Sequence, residues 1–76
     1  MTNVKIMLSS INDVKNLVNI VNKYDFDIDL ISDRYVVDAK SIMGIFSLDL
    51  TKPITVDAHT EDTSAFLNDI KPYITD

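Results

Sequence analysis

The chain has 76 residues, a formal net charge of −5, no cysteine, and 46% hydrophobic and 25% charged residues. We expect one cytoplasmic domain over residues 1–76, because the chain is short, has no signal peptide, and has no apolar run near the ~20 residues that span a membrane. Disulfides, thiolate metal sites and cysteine nucleophiles are excluded, and the acidic charge argues against a nucleic-acid partner, which needs clustered Lys and Arg.

The N-terminal part of the sequence predicts a strand followed by a helix. Residues 4–8 alternate between two faces, as a half-buried strand does. Helical spacing then produces an apolar stripe that consists of Ile11, Val14, Leu17, Val18 and Val21. We expect Ser10 to cap this helix and Asp13 to complete a variant capping box with it.

The middle of the sequence predicts a hairpin and a short helix. Residues 24–30 and 35–39 alternate, and Ser32-Asp33 between them is a turn signal, so the two runs are expected to pair as adjacent strands. Ser41 then precedes a short apolar segment over 42–48, which we interpret as one or two helical turns.

The last part predicts a fourth strand over 54–58 and a final helix. An apolar stripe for that helix comprises Phe66, Leu67, Ile70, Tyr73 and Ile74, and Pro72 limits its length. The resulting order βαββαβα favours two layers, with helices on one face of a mostly antiparallel sheet. The other face meets water and is expected to carry Lys5, Asp25, Asp27, Asp29, Arg34, Asp38, Thr55 and Asp57.

Residues 40–48, with the sequence KSIMGIFSL, resemble the regulatory-serine segment of HPr, the phosphocarrier of the bacterial sugar phosphotransferase system. Residues 23–30 look like the second strand of HPr. The resemblance covers nearly the whole chain. It implies an α+β fold, the open-faced β-sandwich, with a four-stranded antiparallel sheet in the order 1-4-2-3 and three helices on one face.

The sequence departs from HPr at the active site, which in that family reads Gly-Ile-His-Ala-Arg-Pro. An ungapped count back from Lys23 puts Ser10 at the position of the phosphohistidine, with Ile11, Asn12 and Asp13 after it. The resemblance therefore implies a divergent member, similar to the catabolite-repression HPr paralogue, that is neither a histidine phosphocarrier nor an enzyme. A helix cap is the favoured interpretation of Ser10, since a serine phosphoester is inert beside an imidazole phosphoramidate.

Ser41 and its neighbours are the candidate regulatory site. In many HPr proteins this serine is phosphorylated by an ATP-dependent HPr kinase, so the resemblance implies the same for Ser41, and a cap kept only for stability is the alternative. Ile42, Met43 and Phe46 correspond to the apolar patch with which HPr binds partners, although they could instead belong to the core.

The remaining ionisable residues suggest no metal site and no cofactor. His59, the only histidine, is interpreted as a solvated loop residue without ligand-type neighbours. The alternating Asp25, Asp27 and Asp29 are interpreted as a solvated sheet face, because no loop wraps a cation there.

Three functions remain as hypotheses. The first is a regulatory HPr paralogue in carbon catabolite control, with HPr kinase and a transcriptional regulator as partners. The second is a protein-interaction module that uses the HPr fold without phosphorylation. The third, an active phosphocarrier that uses an unconventional residue, is the least favoured.

Overall fold

Four strands form one antiparallel sheet in the computed structural model, which describes residues 2–75. They are β1 (Thr2–Ile6), β2 (Ile28–Ser32), β3 (Tyr35–Asp38) and β4 (Ile54–Ala58). Their spatial order is β1-β4-β2-β3, and every neighbouring pair is antiparallel. The predicted α+β architecture and its sheet order are therefore confirmed.

Three helices complete the second layer and leave the other sheet face open. They are α1 (Ile11–Val21), α2 (Ile42–Phe46) and α3 (Ser64–Ile70). Along β2 and β4, buried residues alternate with half-buried ones, which is the pattern of a sheet covered on one side. Helix α1 is the prediction that the structure matches best, because both of its ends agree with the apolar stripe.

One hydrophobic core lies between the sheet and the helices. Its larger members are Ile6, Leu8, Val14, Leu17, Val21, Ile28, Leu30, Ile45, Leu48, Ile54, Val56, Phe66 and Ile70. All of them are nearly or fully buried, so each contributes a stabilisation of roughly 1.5–3 kcal/mol relative to an exposed side chain. The core fixes the positions of α1 and α2, which carry the candidate site.

The second strand begins later than the alternation predicts. It covers Ile28–Ser32 rather than 24–30, and the turn falls at residues 33 and 34. The reason is aromatic packing: the rings of Tyr24 and Phe26 lie 5.5 and 6.0 Å from that of Phe66, in edge-on contacts. These side chains cover one end of the core from a loop, so their alternation is not that of a strand.

The last helix also ends earlier than its stripe predicts. Helix α3 stops at Ile70, and a 3-10 turn over Lys71–Tyr73 follows, because Pro72 lacks an N–H group and cannot continue the α-helical ladder. The chain then runs beside β1, where the Thr75 N–H donates to the Lys5 carbonyl at 2.9 Å and the Met7 N–H donates to the Tyr73 carbonyl at 2.9 Å. The C-terminal segment thus covers the C-terminal end of the outer edge of β1.

Within residues 2–75, no helix has both the length and the apolar character needed to cross a bilayer.

Candidate functional site

The N-terminus of α1 is held by two serines and one carboxylate. Ser10 has an extended backbone, and its Oγ accepts a hydrogen bond from the Asp13 N–H at 3.2 Å, so the predicted cap is present. The carboxylate of Asp13, however, turns mainly to Ser9, whose N–H and hydroxyl both donate to it at 2.9 Å. The observed capping box therefore differs from the predicted one. The Asp13 side chain accepts from Ser9, which offers two donors, and not mainly from the cap residue Ser10.

These hydrogen bonds keep a negative charge at the start of α1. The backbone N–H of Ser9 contributes most, and together the bonds from Ser9 and Ser10 hold the pKa of Asp13 below its ordinary value of 3.8. A carboxylate at this position is favoured by the helix dipole. An incoming anionic phosphoryl group would meet a like charge one turn from Ser10.

A groove lies between the start of α1 and the end of α2. It has a volume of about 420 Å³, opens to solvent, and is lined by Met7, Leu8, Ser9, Ser10, Ile11, Phe46, Leu50 and Thr51. Ile11 is 62% exposed there, although the helical stripe predicts a buried residue. As the first residue of α1, Ile11 lies at the groove rather than over the sheet. The groove contains no charged side chain and therefore suits an apolar group of a partner.

Most of this groove was not predicted from the sequence. Local patterns do not bring Met7 and Leu50 together, because Met7 precedes α1, Leu50 follows α2, and the two meet only when those helices pack on the same core. One local signal was present. Ile11 is a large apolar residue directly after a cap, at the position where the HPr motif has alanine.

Ser41 caps α2 in the predicted way. Its backbone is extended, its Oγ accepts a hydrogen bond from the Gly44 N–H at 3.2 Å, and the residue is exposed. Lys40, beside it, donates from Nζ to the Tyr24 carbonyl at 2.9 Å. Ser41 is therefore an exposed residue whose side chain stabilises the helix start.

The three predicted patch residues differ in exposure. Met43 is 77% exposed and Phe46 is 41% exposed, so both present apolar surface to solvent. Ile42 is half-buried and packs against the core. The apolar surface therefore consists of Met43 and Phe46, and Phe46 joins it to the groove beside Ile11.

A second cluster lies on the open face of the sheet, where Asp29 of β2 stands directly opposite Asp57 of β4. His59 Nε2 lies 2.9 Å from Asp29 Oδ2 and 3.5 Å from Asp57 Oδ2. His59 is an exposed loop residue, as predicted, but the prediction that it has no ligand-type neighbours is wrong. His59 lies two residues after Asp57, so the alternation along the chain places both on the same face of the sheet. The register between β2 and β4 then places Asp29 beside them.

The cluster offers donors that a cation could share. One atom from each of the three residues lies within 4.8 Å of the others. The same contacts also let the imidazole separate two carboxylates that would otherwise repel each other across neighbouring strands. We assign no metal to these residues, since the hydrogen bond between His59 and Asp29 accounts for the closest contact.

His59 and Ser10 are at opposite ends of the sheet. Thr2 pairs with Ala58, next to His59, whereas Ile6 at the other end of β1 pairs with Ile54 and leads to Ser10. Four residue steps along β1 separate the two ends by about 13 Å. The one histidine of the chain therefore cannot reach the groove beside Ser10.

Comparisons with known proteins show that the chain is similar to HPr. The family model described as "PTS HPr component phosphorylation site" matches residues 12–76, whereas no curated protein sequence matches. Among solved structures, HPr-C-His from Thermoanaerobacter tengcongensis is 24% identical, with a TM-score of 0.79 over 95% of this chain and 89% of that one. The phosphocarrier protein HPr from Bacillus anthracis str. Ames is 27% identical, with a TM-score of 0.72 over 97% and 94%. The family match includes Ser41 but begins after Ser10.

Proposed function

Because the chain belongs to the HPr family, we propose that it is a regulatory member without histidine phosphocarrier activity, which acts by binding proteins in the bacterial cytoplasm. The observation that carries this proposal is the position of the only histidine. His59 lies on the open face, at the far end of the sheet from the cap of α1. The cap itself holds Ser10 and the carboxylate of Asp13, which offer neither an imidazole nor a positive charge.

We place the regulation at Ser41, as a phosphorylation by HPr kinase. The γ-phosphoryl group of ATP would pass to Ser41 Oγ, with loss of the hydroxyl proton and release of ADP. The geometry supports this step because Ser41 is exposed and its Oγ already faces the Gly44 N–H at 3.2 Å. A phosphate oxygen can accept from the same N–H, so α2 is expected to tolerate the modification.

The phosphate would act on partner binding rather than on the fold. It adds a charge of about −1.5 to −2 at neutral pH, beside the apolar side chain of Met43. A partner that binds bare apolar surface would lose affinity. A partner with Arg or Lys at this place, such as a transcriptional regulator of carbon catabolite control, would gain it.

Two labelling assays test the proposal. Wild type, Ser41→Ala and the matched control Ser47→Ala are incubated with HPr kinase and labelled ATP. We expect equal labelling of wild type and Ser47→Ala, and none of Ser41→Ala. In parallel, enzyme I and labelled phosphoenolpyruvate are expected to leave wild type unlabelled. Label transferred from enzyme I would identify a phosphocarrier and overturn the proposal.

The exposed apolar groove favours one alternative, an interaction module on the HPr fold that is never phosphorylated. Ile11, Phe46 and Leu50 line the groove without any contribution from Ser41. Partner binding that requires Ile11 and Phe46, together with no labelling by HPr kinase, would support this alternative over a regulatory phosphoserine.

A further inference from the structure

Strand β3 forms one edge of the sheet, since it is the last strand in the order β1-β4-β2-β3. Two large apolar side chains of this edge are exposed, Tyr35 by 65% and Val36 by 60%. An edge strand presents N–H and C=O groups that can pair with another strand. The chemistry of β3 therefore matters for association, independently of α1 and α2.

The hydrogen-bond pattern shows which groups point outward from β3. The Ala39 N–H donates to the Ile28 carbonyl of β2 at 2.9 Å. In an antiparallel pair, residues that bond to the neighbouring strand alternate with residues that bond to the other side. The main-chain groups of Val36 and the N–H of Asp38 therefore point away from β2, whereas the Asp38 carbonyl accepts from the Ser41 N–H at 2.9 Å and Arg34 lies in the turn before β3.

This alternation restricts how a second copy can pair with β3. Within β3, Val36 offers both of its main-chain groups outward, so the strands can align with Val36 opposite the second copy's Val36. In that register, Arg34 lies opposite the second copy's Asp38, and by symmetry the same charge pair forms twice. A shift of the register by two residues in one direction places Arg34 opposite the second copy's Lys40, and the two positive charges repel. A shift of two residues in the other direction places no opposite charges together.

The open face provides a second reason for the same register. Asp57, Asp29 and Asp38 lie in one row across β4, β2 and β3, as directly opposed neighbours. Like charges opposite each other destabilise a sheet. A guanidinium from a second copy would extend this row with a positive charge beside Asp38. The Asp38 Oδ1 accepts from the Lys40 N–H at 2.9 Å, which leaves its other oxygen to face that guanidinium.

We propose that β3 is a self-association edge, where two copies of this chain pair antiparallel about Val36 through two Arg34–Asp38 contacts. The symmetry axis is perpendicular to the sheet, so the two sheets form one continuous eight-stranded sheet with all helices on one side. On that side, Tyr35 lies opposite the second copy's Val37. The interface is isologous and needs no other partner.

The interface is small, and its strength follows from its size. Four residues per strand bury less than the roughly 1,200 Å² of a stable complex, so the dimer forms at millimolar rather than nanomolar concentration. Since two exposed charge pairs select the register, association weakens as salt is added.

A charge-swap experiment tests the register. Sedimentation velocity and NMR diffusion are measured over a dilution series at low salt for wild type, Arg34→Glu and Asp38→Arg. We expect wild type to dimerise and each variant alone to remain monomeric, because each opposes like charges twice. An equimolar mixture of the two variants restores both charge pairs, and we expect dimers there.

Each other outcome contradicts the proposal. A wild type that is monomeric at millimolar concentration excludes the interface. Variants that dimerise as wild type does, or a mixture that stays monomeric, exclude the Arg34–Asp38 register. Circular dichroism verifies folding of each variant. If Asp38→Arg does not fold, Arg34→Glu decides alone: loss of the dimer supports the proposal, and an unchanged dimer overturns it.

Discussion

Asp13 accepts two hydrogen bonds from Ser9, one from its backbone N–H and one from its hydroxyl, both 2.9 Å long. This contact joins the loop after β1 to the first turn of α1 and holds a carboxylate at the positive end of the helix. The start of α1 is therefore occupied by a structural charge.

Stability should therefore fall at acid pH, partly through Asp13. Hydrogen bonds from Ser9 lower its pKa from 3.8, as those from Thr51 and Ser64 lower the pKa values of Asp49 and Asp62. A folded-state pKa below the unfolded one contributes stability that is complete above 3.8 and is lost as pH falls toward the folded value. We expect Asp13→Asn to have a lower Tm than wild type at pH 7 and a flatter Tm profile below pH 4. Parallel profiles would contradict this role.

Substitutions at two adjacent residues of α2 should lower the free energy of unfolding by different amounts, because one residue lies in the core and the other at the surface. Ile45 is fully buried, so Ile45→Ala is expected to lower the free energy of unfolding by about 2–5 kcal/mol. Phe46 is partly exposed in the groove, and Phe46→Ala should cost about 1 kcal/mol or less. Urea denaturation measures both. A cost for Phe46→Ala equal to that for Ile45→Ala would place Phe46 in the core and remove it from the docking surface.

Gly44 lets α2 lie close to β3. A Cβ at this residue would come within 3.3 Å of both Ser41 Oγ and Val37 Cβ. Alanine favours a helix by about 1 kcal/mol over glycine, but crowding in a packed site costs roughly 1–3 kcal/mol. Neither neighbour can move freely, since Ser41 caps the helix and Val37 belongs to a strand. We expect Gly44→Ala to destabilise the protein by about 1 kcal/mol in urea, and a stabilised variant would show that α2 can shift.

His59 should stabilise the sheet by separating Asp29 from Asp57. His59→Ala leaves the two carboxylates opposite each other, and we expect a loss of about 0.5 kcal/mol at neutral pH. In an Asp29→Asn background the same substitution should cost less, because one of the repelling charges is gone. A double-mutant cycle by urea denaturation measures this coupling. Equal costs in both backgrounds would show that His59 does not act on this charge pair.

Local patterns were sufficient to predict much of this fold. The limits of α1 follow from Ser10 and the apolar stripe, although the first member of that stripe is exposed. Strand β4 follows from the alternation of Ile54, Val56 and Ala58. Both predictions depend only on residues that are close together in sequence. The serine segment around Ser41 is equally local, and its cap was predicted for the same reason.

The sequence-based predictions failed where contacts between residues that are distant in sequence determine the structure. Tyr24 and Phe26 alternate like a strand but pack on Phe66, some forty residues later in the chain. His59 meets Asp29 only because β2 and β4 are neighbours in a particular register. Alternation along one strand assigns each residue to a face and carries no information about which residue of another strand lies beside it.

The C-terminal segment beside β1 has a consequence for how far this protein can assemble. A sheet with two open edges can grow without limit, as amyloid fibrils do. In this chain, Tyr73 and Thr75 form main-chain hydrogen bonds at the C-terminal end of the outer edge of β1, which restricts pairing there, whereas isologous pairing through β3 joins only two copies. Removal of the residues from Tyr73 onward would expose that end of β1 and favour growth of the sheet beyond the proposed pair.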